Sequence, residues 1–198
     1  VLAERAAARV GRAPVPSSLE TPPIDREAFL ARFGAGAADL SASRILCLCF
    51  LLANEEAIFS GVSEVLDVGC GRGNYAALLR GAFGVARYRG VDVAPRADWE
   101  RIADAHTRLE VGELGVDPID VGSADLVFSQ SVLEHVERDR AVFALFRAAA
   151  PRTVRHVHFV PATASWQVYR FHGYRRYQPR SIARLLAAPG IGQFTVHA

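Results

Sequence analysis

Two hydrophobic spacings alternate along this chain. Short apolar runs with the character of strands recur at Val65–Val68, Tyr88–Val93, Arg108–Val111, Ala124–Ser129 and Val154–Val160. The segments between them carry apolar residues every three to four positions. They predict helices over Tyr75–Phe83 and Asp98–Ala105, from about Val132, over Arg138–Ala149 and over Arg180–Ala187, and Phe194–Val196 reads as a sixth strand. Strand and helix taking turns in this way implies an α/β fold, a parallel sheet with helices on both faces.

Upstream the pattern changes. Val1–Val10 is rich in Ala and Arg and is helix-compatible, but Pro14, Pro16, Pro22 and Pro23 interrupt any helix beyond it, and residues 11–24 read as a loop or arm. Asp25 is placed to cap a helix carrying Ala28, Phe29 and Phe33, ending near Gly34 and Gly36. A second helix is predicted from about Ser41 to Phe59, with Ile45, Leu46, Leu48, Leu51 and Leu52 along it. Residues 1–60 are therefore read as an arm with cap helices, and residues 61–198 as the α/β core.

Composition narrows the function classes. The chain has 198 residues, 51% hydrophobic and 22% charged, enough to bury a sizeable core. A formal net charge of +2 gives no reason to expect nucleic acid or an anionic membrane as partner. Every one of the 23 cationic residues is Arg, and Met is absent, both of which a GC-rich coding sequence would produce. A first residue Val1 suggests a GTG start or a trimmed piece. Cys47, Cys49 and Cys70 lack C-x-x-C spacing, so neither a disulfide framework nor a zinc site is indicated. The run Ile45–Leu52 is too short to span a bilayer, no secretory signal opens the chain, and a cytoplasmic enzyme is the expectation.

Candidate chemistry starts at Val65–Tyr75, VLDVGCGRGNY. An apolar strand runs into Gly69, Cys70, Gly71, Arg72 and Gly73, and a helix comes next. That order sets a helix N-terminus beside the carboxyl end of a parallel strand, a nucleotide-sized site. The dinucleotide fingerprint is G-x-G-x-x-G, whereas this turn reads G-x-G-x-G with Asn74 where the third glycine would fall, and Asp67 stands two residues before the first glycine. A carboxylate there repels a pyrophosphate and suits a ligand carrying an ammonium and a sulfonium.

The D-x-G-x-G-x-G pattern resembles the first motif of the class I S-adenosylmethionine-dependent methyltransferases. The resemblance spans about Glu64 to Pro161 and implies a doubly wound, mostly parallel sheet of the Rossmann-like methyltransferase type, with the N-terminal helices over the cofactor entrance. It implies that the backbone of Gly69, Cys70, Gly71 and Gly73 approaches the methionine part of the cofactor and that Asp67 lies near its amino group. Asp92, at the end of strand two in RGVDVAP, is about 20 residues past the turn and suits the ribose hydroxyls, with Val93 beside it. Glu113 and Leu114, after strand three, fall where the family commonly bonds the adenine amino group. Asp125 in ADLVF matches an acidic residue common in the fourth strand, and Ser129 and Gln130 come after it where they could line the cofactor and the transfer point. S-adenosyl-L-methionine is thus the expected cofactor, with S-adenosyl-L-homocysteine as product and a small molecule as acceptor.

An activated methyl needs an aligned nucleophile and exclusion of water, with a base where the nucleophile is a hydroxyl. His135, on the predicted helix after strand four, and His172, in the aromatic and basic run Phe171–Tyr177, are the candidate catalytic residues. In each case a purely structural role competes: a hydrogen bond to the neighbouring loop for His135, and anchoring of a loop on the sheet for the Tyr174–Tyr177 cluster, with Arg175 and Arg176 as a solvated face. Trp166 is open in the same way. Glu134 and His135, adjacent on a helix, do not face one site, and no metal is predicted. Ala148–Arg152 stands where the family has a glycine-containing turn before strand five, and no seventh strand comes after the sixth, so a C-terminal strand is possibly missing. The alternatives are an NAD(P)-dependent oxidoreductase on a Rossmann sheet, or a module that binds the cofactor without catalysis.

Overall fold

The structure, a computed structural model, describes residues 17–18, 25–34, 40–149, 154–161, 173–187 and 196–197. Five parallel strands form the main sheet: β2 (Glu64–Val68), β3 (Arg87–Asp92), β4 (Thr107–Val111), β5 (Leu126–Gln130) and β6 (Arg155–Phe159). Their order is β4-β3-β2-β5-β6. The direction of winding therefore reverses between β2 and β5, and a ligand crevice belongs at the carboxyl ends of those two strands. Helices α1 (Arg26–Phe33), α2 (Ala42–Ala53), α3 (Glu55–Phe59), α4 (Asn74–Phe83), α5 (Trp99–Ile102), α6 (Asp139–Ala149) and α7 (Pro179–Ala187) complete the described elements, with β1 (Ser17–Ser18) and β7 (Val196–His197).

The sheet separates two cores, as alternation along a strand demands. On one face Val65, Tyr88, Leu126 and Phe128 pack with Phe29, Phe33, Leu48, Leu51, Phe59, Leu79 and Phe83, so the cap helices share a core with the sheet. On the other, Leu66, Val68, Val91 and Val127 pack with Val142 and Phe143 of α6 and Leu185 of α7. Arg32 fastens the cap: its guanidinium pairs with Glu55 at 2.7 Å and donates to the carbonyl of Ala82 at 2.5 Å.

Several elements depart from the expectations. Asp25 does cap α1, accepting from the Ala28 amide at 2.9 Å. The helix predicted over Ser41–Phe59 is two helices, because Asn54 turns its side chain back onto the carbonyl of Phe50 and ends α2. The helix predicted from Val132 is a single 3₁₀ turn, Leu133–His135. Asp98–Ala105 shrinks to the four residues of α5. The sixth strand does not join the main sheet: Val196 and His197 pair in parallel with Ser17 and Ser18, residues expected in a loop. Asp125 precedes β5, at the amino end of the sheet. There its carboxylate accepts from the amides of Ser63 and Glu64, both at 2.9 Å, so it is a structural acceptor far from the crevice.

Candidate cofactor site

At the carboxyl end of β2 the chain turns back on itself through Gly69, Gly71 and Gly73, at φ of 75°, 55° and 76°, values an L side chain resists. The turn is held from within. Gly69 and Cys70 donate to the carbonyl of Val91 at 2.7 and 3.1 Å, Gly71 to Asp92 Oδ2 at 2.8 Å, and Gly73 to the carbonyl of Cys70 at 2.9 Å. The indole N–H of Trp99, a buried residue, donates to the carbonyl of Gly71 at 2.8 Å. With four amides taken, the turn keeps few backbone donors for a pyrophosphate.

Gly69 allows a close approach, but to protein. A Cβ at that position would lie 2.3 Å from a methyl of Val132, so Val132, just past β5, seals that side of the turn. The open side is at Gly71 and Asn74, where a cleft of about 380 Å³ is lined by Arg44, Gly71, Arg72, Asn74 and Arg96.

The three carboxylates lie on the same rim, in different settings. Asp67 is buried and accepts from the Tyr88 hydroxyl at 2.5 Å. Burial pushes its pKa up to about 7, against the pull of the Tyr88 hydrogen bond and with a further push from the charge of Asp92. Asp92 anchors Gly71 with one oxygen and has Arg96 3.7 Å from the other. Glu113 is exposed and comes after Gly112, whose amide donates to the Asp92 carbonyl at 2.9 Å. Val93 is 61% exposed, a bare apolar surface beside Asp92.

Other expected site residues turn inward. Cys70 is buried, and its Sγ would lie 2.8 Å from a Cβ on Gly90, so its side chain fills the sheet rather than a ligand gap. Leu114 belongs to the core under α6. Ser129 is fully buried on that same side, its hydroxyl 2.7 Å from His158 Nδ1. Gln130 points to the opposite face, under α2, and donates to Cys47 Sγ at 3.4 Å. His135 is exposed on the 3₁₀ turn. His172 and Trp166 lie outside the described residues.

In the aromatic and basic cluster Arg175 is an anchor and not part of a solvated face, while Tyr174 is 67% exposed. Arg175 pairs with Asp139 at 2.8 Å and donates to the carbonyls of Val136 and Glu137, and the Tyr177 hydroxyl reaches Asp139 at 3.1 Å. Sequence reasoning passed over Trp99, Val132 and Arg44, which carry no motif. It also passed over Ser131, held at φ 55° between β5 and Val132, a conformation uncommon outside glycine.

A family profile described as a methyltransferase domain matches residues 66–153, from β2 through the β5–β6 crossover. The fold around them is the class I, Rossmann-like one. Among solved structures, this domain is similar to a Haemonchus contortus phosphoethanolamine N-methyltransferase 2 in complex with S-adenosyl-L-methionine: 19% identity, TM-score 0.60, covering 83% of this chain and 40% of that one. A SAM-dependent methyltransferase from Archaeoglobus fulgidus gives 21% identity and TM-score 0.55, with coverage of 75% and 69%. A TehB-like SAM-dependent methyltransferase from Corynebacterium glutamicum gives 19% and 0.53, with coverage of 83% and 82%. At these identities the likeness is one of fold. The chain spans only 61% and 40% of the first two structures it matches. No curated protein sequence matches it.

The residues around the turn suit the cofactor of the methyltransferases that the profile describes. Tyr75, deeply buried at the start of α4, has a hydroxyl with no hydrogen-bond partner among the described residues. Beside the cleft stands Asp92, bonded to Gly71 and 3.7 Å from Arg96. Among the described residues, no group of three His, Cys, Asp or Glu side chains could hold a metal, and no helix is long and apolar enough to cross a membrane.

Proposed function

We propose that this chain transfers a methyl group from S-adenosyl-L-methionine to an oxygen, nitrogen or carbon of a small-molecule acceptor. The observation that carries the reading is the glycine turn locked to Asp92 at the β2–β5 switch point, within the residues that the methyltransferase-domain profile matches. Bound there, the sulfonium supplies an activated methyl, which passes to the acceptor's nucleophilic atom as the sulfur keeps the electron pair of the broken S–CH₃ bond.

The chain's part is to bind, orient and exclude water. Asp92 would accept from the ribose hydroxyls, Val93 would lie against the adenine, and Glu113 would accept from the adenine amino group. The acceptor belongs at the carboxyl ends of β2 and β5, on the side that the cap helices cover. His135, exposed just past β5, is placed to take the proton where the acceptor is a hydroxyl. The phosphoethanolamine substrate named for the Haemonchus contortus enzyme is that enzyme's alone. For this chain, the cover that the cap helices place over the sheet supports a small acceptor.

Calorimetric titration with S-adenosyl-L-methionine and S-adenosyl-L-homocysteine is the direct test. Binding of both supports the reading, and a folded chain that binds neither removes it. Incubation of a metabolite mixture with a methyl-labelled donor then reads out the acceptor.

A further inference from the structure

Anions at glycine turns are ordinarily held by backbone amides. In this turn Gly69, Cys70, Gly71 and Gly73 already donate to protein oxygens, so an anionic group in the cleft must draw donors from side chains. Three guanidiniums line the cleft. Arg72 has Asp98 at 3.7 Å and Arg96 has Asp92 at 3.7 Å, whereas Arg44 makes no ion pair among the described residues. Arg44 projects from the first turn of α2 and lines the cleft with Gly71 and Asn74, and its positive charge acts on Asp67, Cys47 and Tyr75.

Tyr75 supplies the second donor. Its hydroxyl is buried and has no hydrogen-bond partner among the described residues, and Tyr75 follows Asn74, which lines the same cleft as Arg44. A guanidinium without a carboxylate lines the cleft beside Asn74, and a buried phenol without an acceptor comes next in the chain. Together they fit a group that only accepts hydrogen bonds. Asp67 is a carboxylate in the same neighbourhood and fits a cation. Opposite charges so close together are the signature of an α-amino acid end.

We propose that Arg44 and Tyr75 hold the carboxylate of the cofactor's amino-acid moiety, making helix α2 part of the cofactor site as well as its cover. The proposal rests on the cofactor reading above. Because Gln130 at the end of β5 bonds Cys47 on the same helix, seating the carboxylate on Arg44 also steadies the wall that the acceptor meets.

The test is calorimetric titration of three probes: S-adenosyl-L-homocysteine, its carboxyl methyl ester, and 5′-methylthioadenosine, which lacks the amino-acid carbons. The wild type binds S-adenosyl-L-homocysteine at least about tenfold more tightly than either other probe. Arg44→Gln weakens S-adenosyl-L-homocysteine about tenfold and leaves the ester and methylthioadenosine within about twofold. Arg44→Lys, which keeps the charge and loses the planar fork, falls between, and it serves if the Gln variant does not fold. Tyr75→Phe lowers S-adenosyl-L-homocysteine affinity about threefold with the same selectivity. Equal weakening of all three probes by Arg44→Gln, or none, overturns the assignment while the cofactor reading stands. A wild type that binds no probe overturns both.

Discussion

The hydroxyl of Tyr88 donates to the carboxylate of Asp67 at 2.5 Å across adjacent strands, and both residues are almost wholly shielded from solvent. The bond stabilises the ionised carboxylate, and burial opposes it. Tyr88→Phe leaves a buried acceptor without its donor, a loss of about 1–3 kcal/mol. The deficit is larger at pH 8, where Asp67 is ionised, than at pH 5. Chemical denaturation of the two proteins at both pH values reads the difference.

Asp67 itself makes stability pH-dependent. Its pKa is raised from 3.8 to about 7 in the folded chain, so between those values the folded state holds a proton that the unfolded state has released. The contribution is complete below about pH 4 and is lost as pH rises through about 7. Asp67→Asn removes this slope. Denaturation midpoints taken from pH 4 to 8 fall with pH in the wild type relative to the Asn variant, and parallel curves would contradict the shift.

Gly69 is fixed by its neighbour across the crevice. A methyl at this position meets Val132 at 2.3 Å at a φ of 75°, so Gly69→Ala overpacks the contact and strains the backbone. The expected loss is about 2–3 kcal/mol. Val132→Ala added to it restores part of that loss, because it removes the clash and leaves the strain. Thermal unfolding of the single and double variants measures the recovery.

Two aspartates that look alike in the sequence separate by function. Asp92→Ala frees the Gly71 amide and lowers S-adenosyl-L-homocysteine affinity by at least about tenfold. Asp125→Ala orphans the amides of Ser63 and Glu64 at the far end of the sheet. It lowers stability by about 1–3 kcal/mol with affinity unchanged in the folded fraction. Calorimetry beside denaturation separates the two.

Trp99→Phe keeps the ring and loses the N–H that props the Gly71 carbonyl. Affinity for S-adenosyl-L-homocysteine drops about fivefold, a loss of about 1 kcal/mol, with little change in melting temperature. A change in stability without one in affinity would make Trp99 a core residue only.

Much of this molecule is written locally in its sequence. The strand–helix alternation from Val65, the cap at Asp25 and the glycine turn derive from periodicity and spacing over a few residues, which neighbouring atoms alone impose. What the side chains meet was decided elsewhere. Strand parity sends Ser129 to His158 and Gln130 to Cys47, although the two are adjacent. Val132 seals Gly69 from 63 positions away, Trp99 props Gly71 and Tyr88 claims Asp67. These contacts depend on which elements the sheet order brings together, and no spacing within the chain encodes them. The sequence by itself determined that a turn of this shape ends β2; only the tertiary structure decided which side of that turn stays open, because long-range packing fills one face and leaves Arg44 over the other.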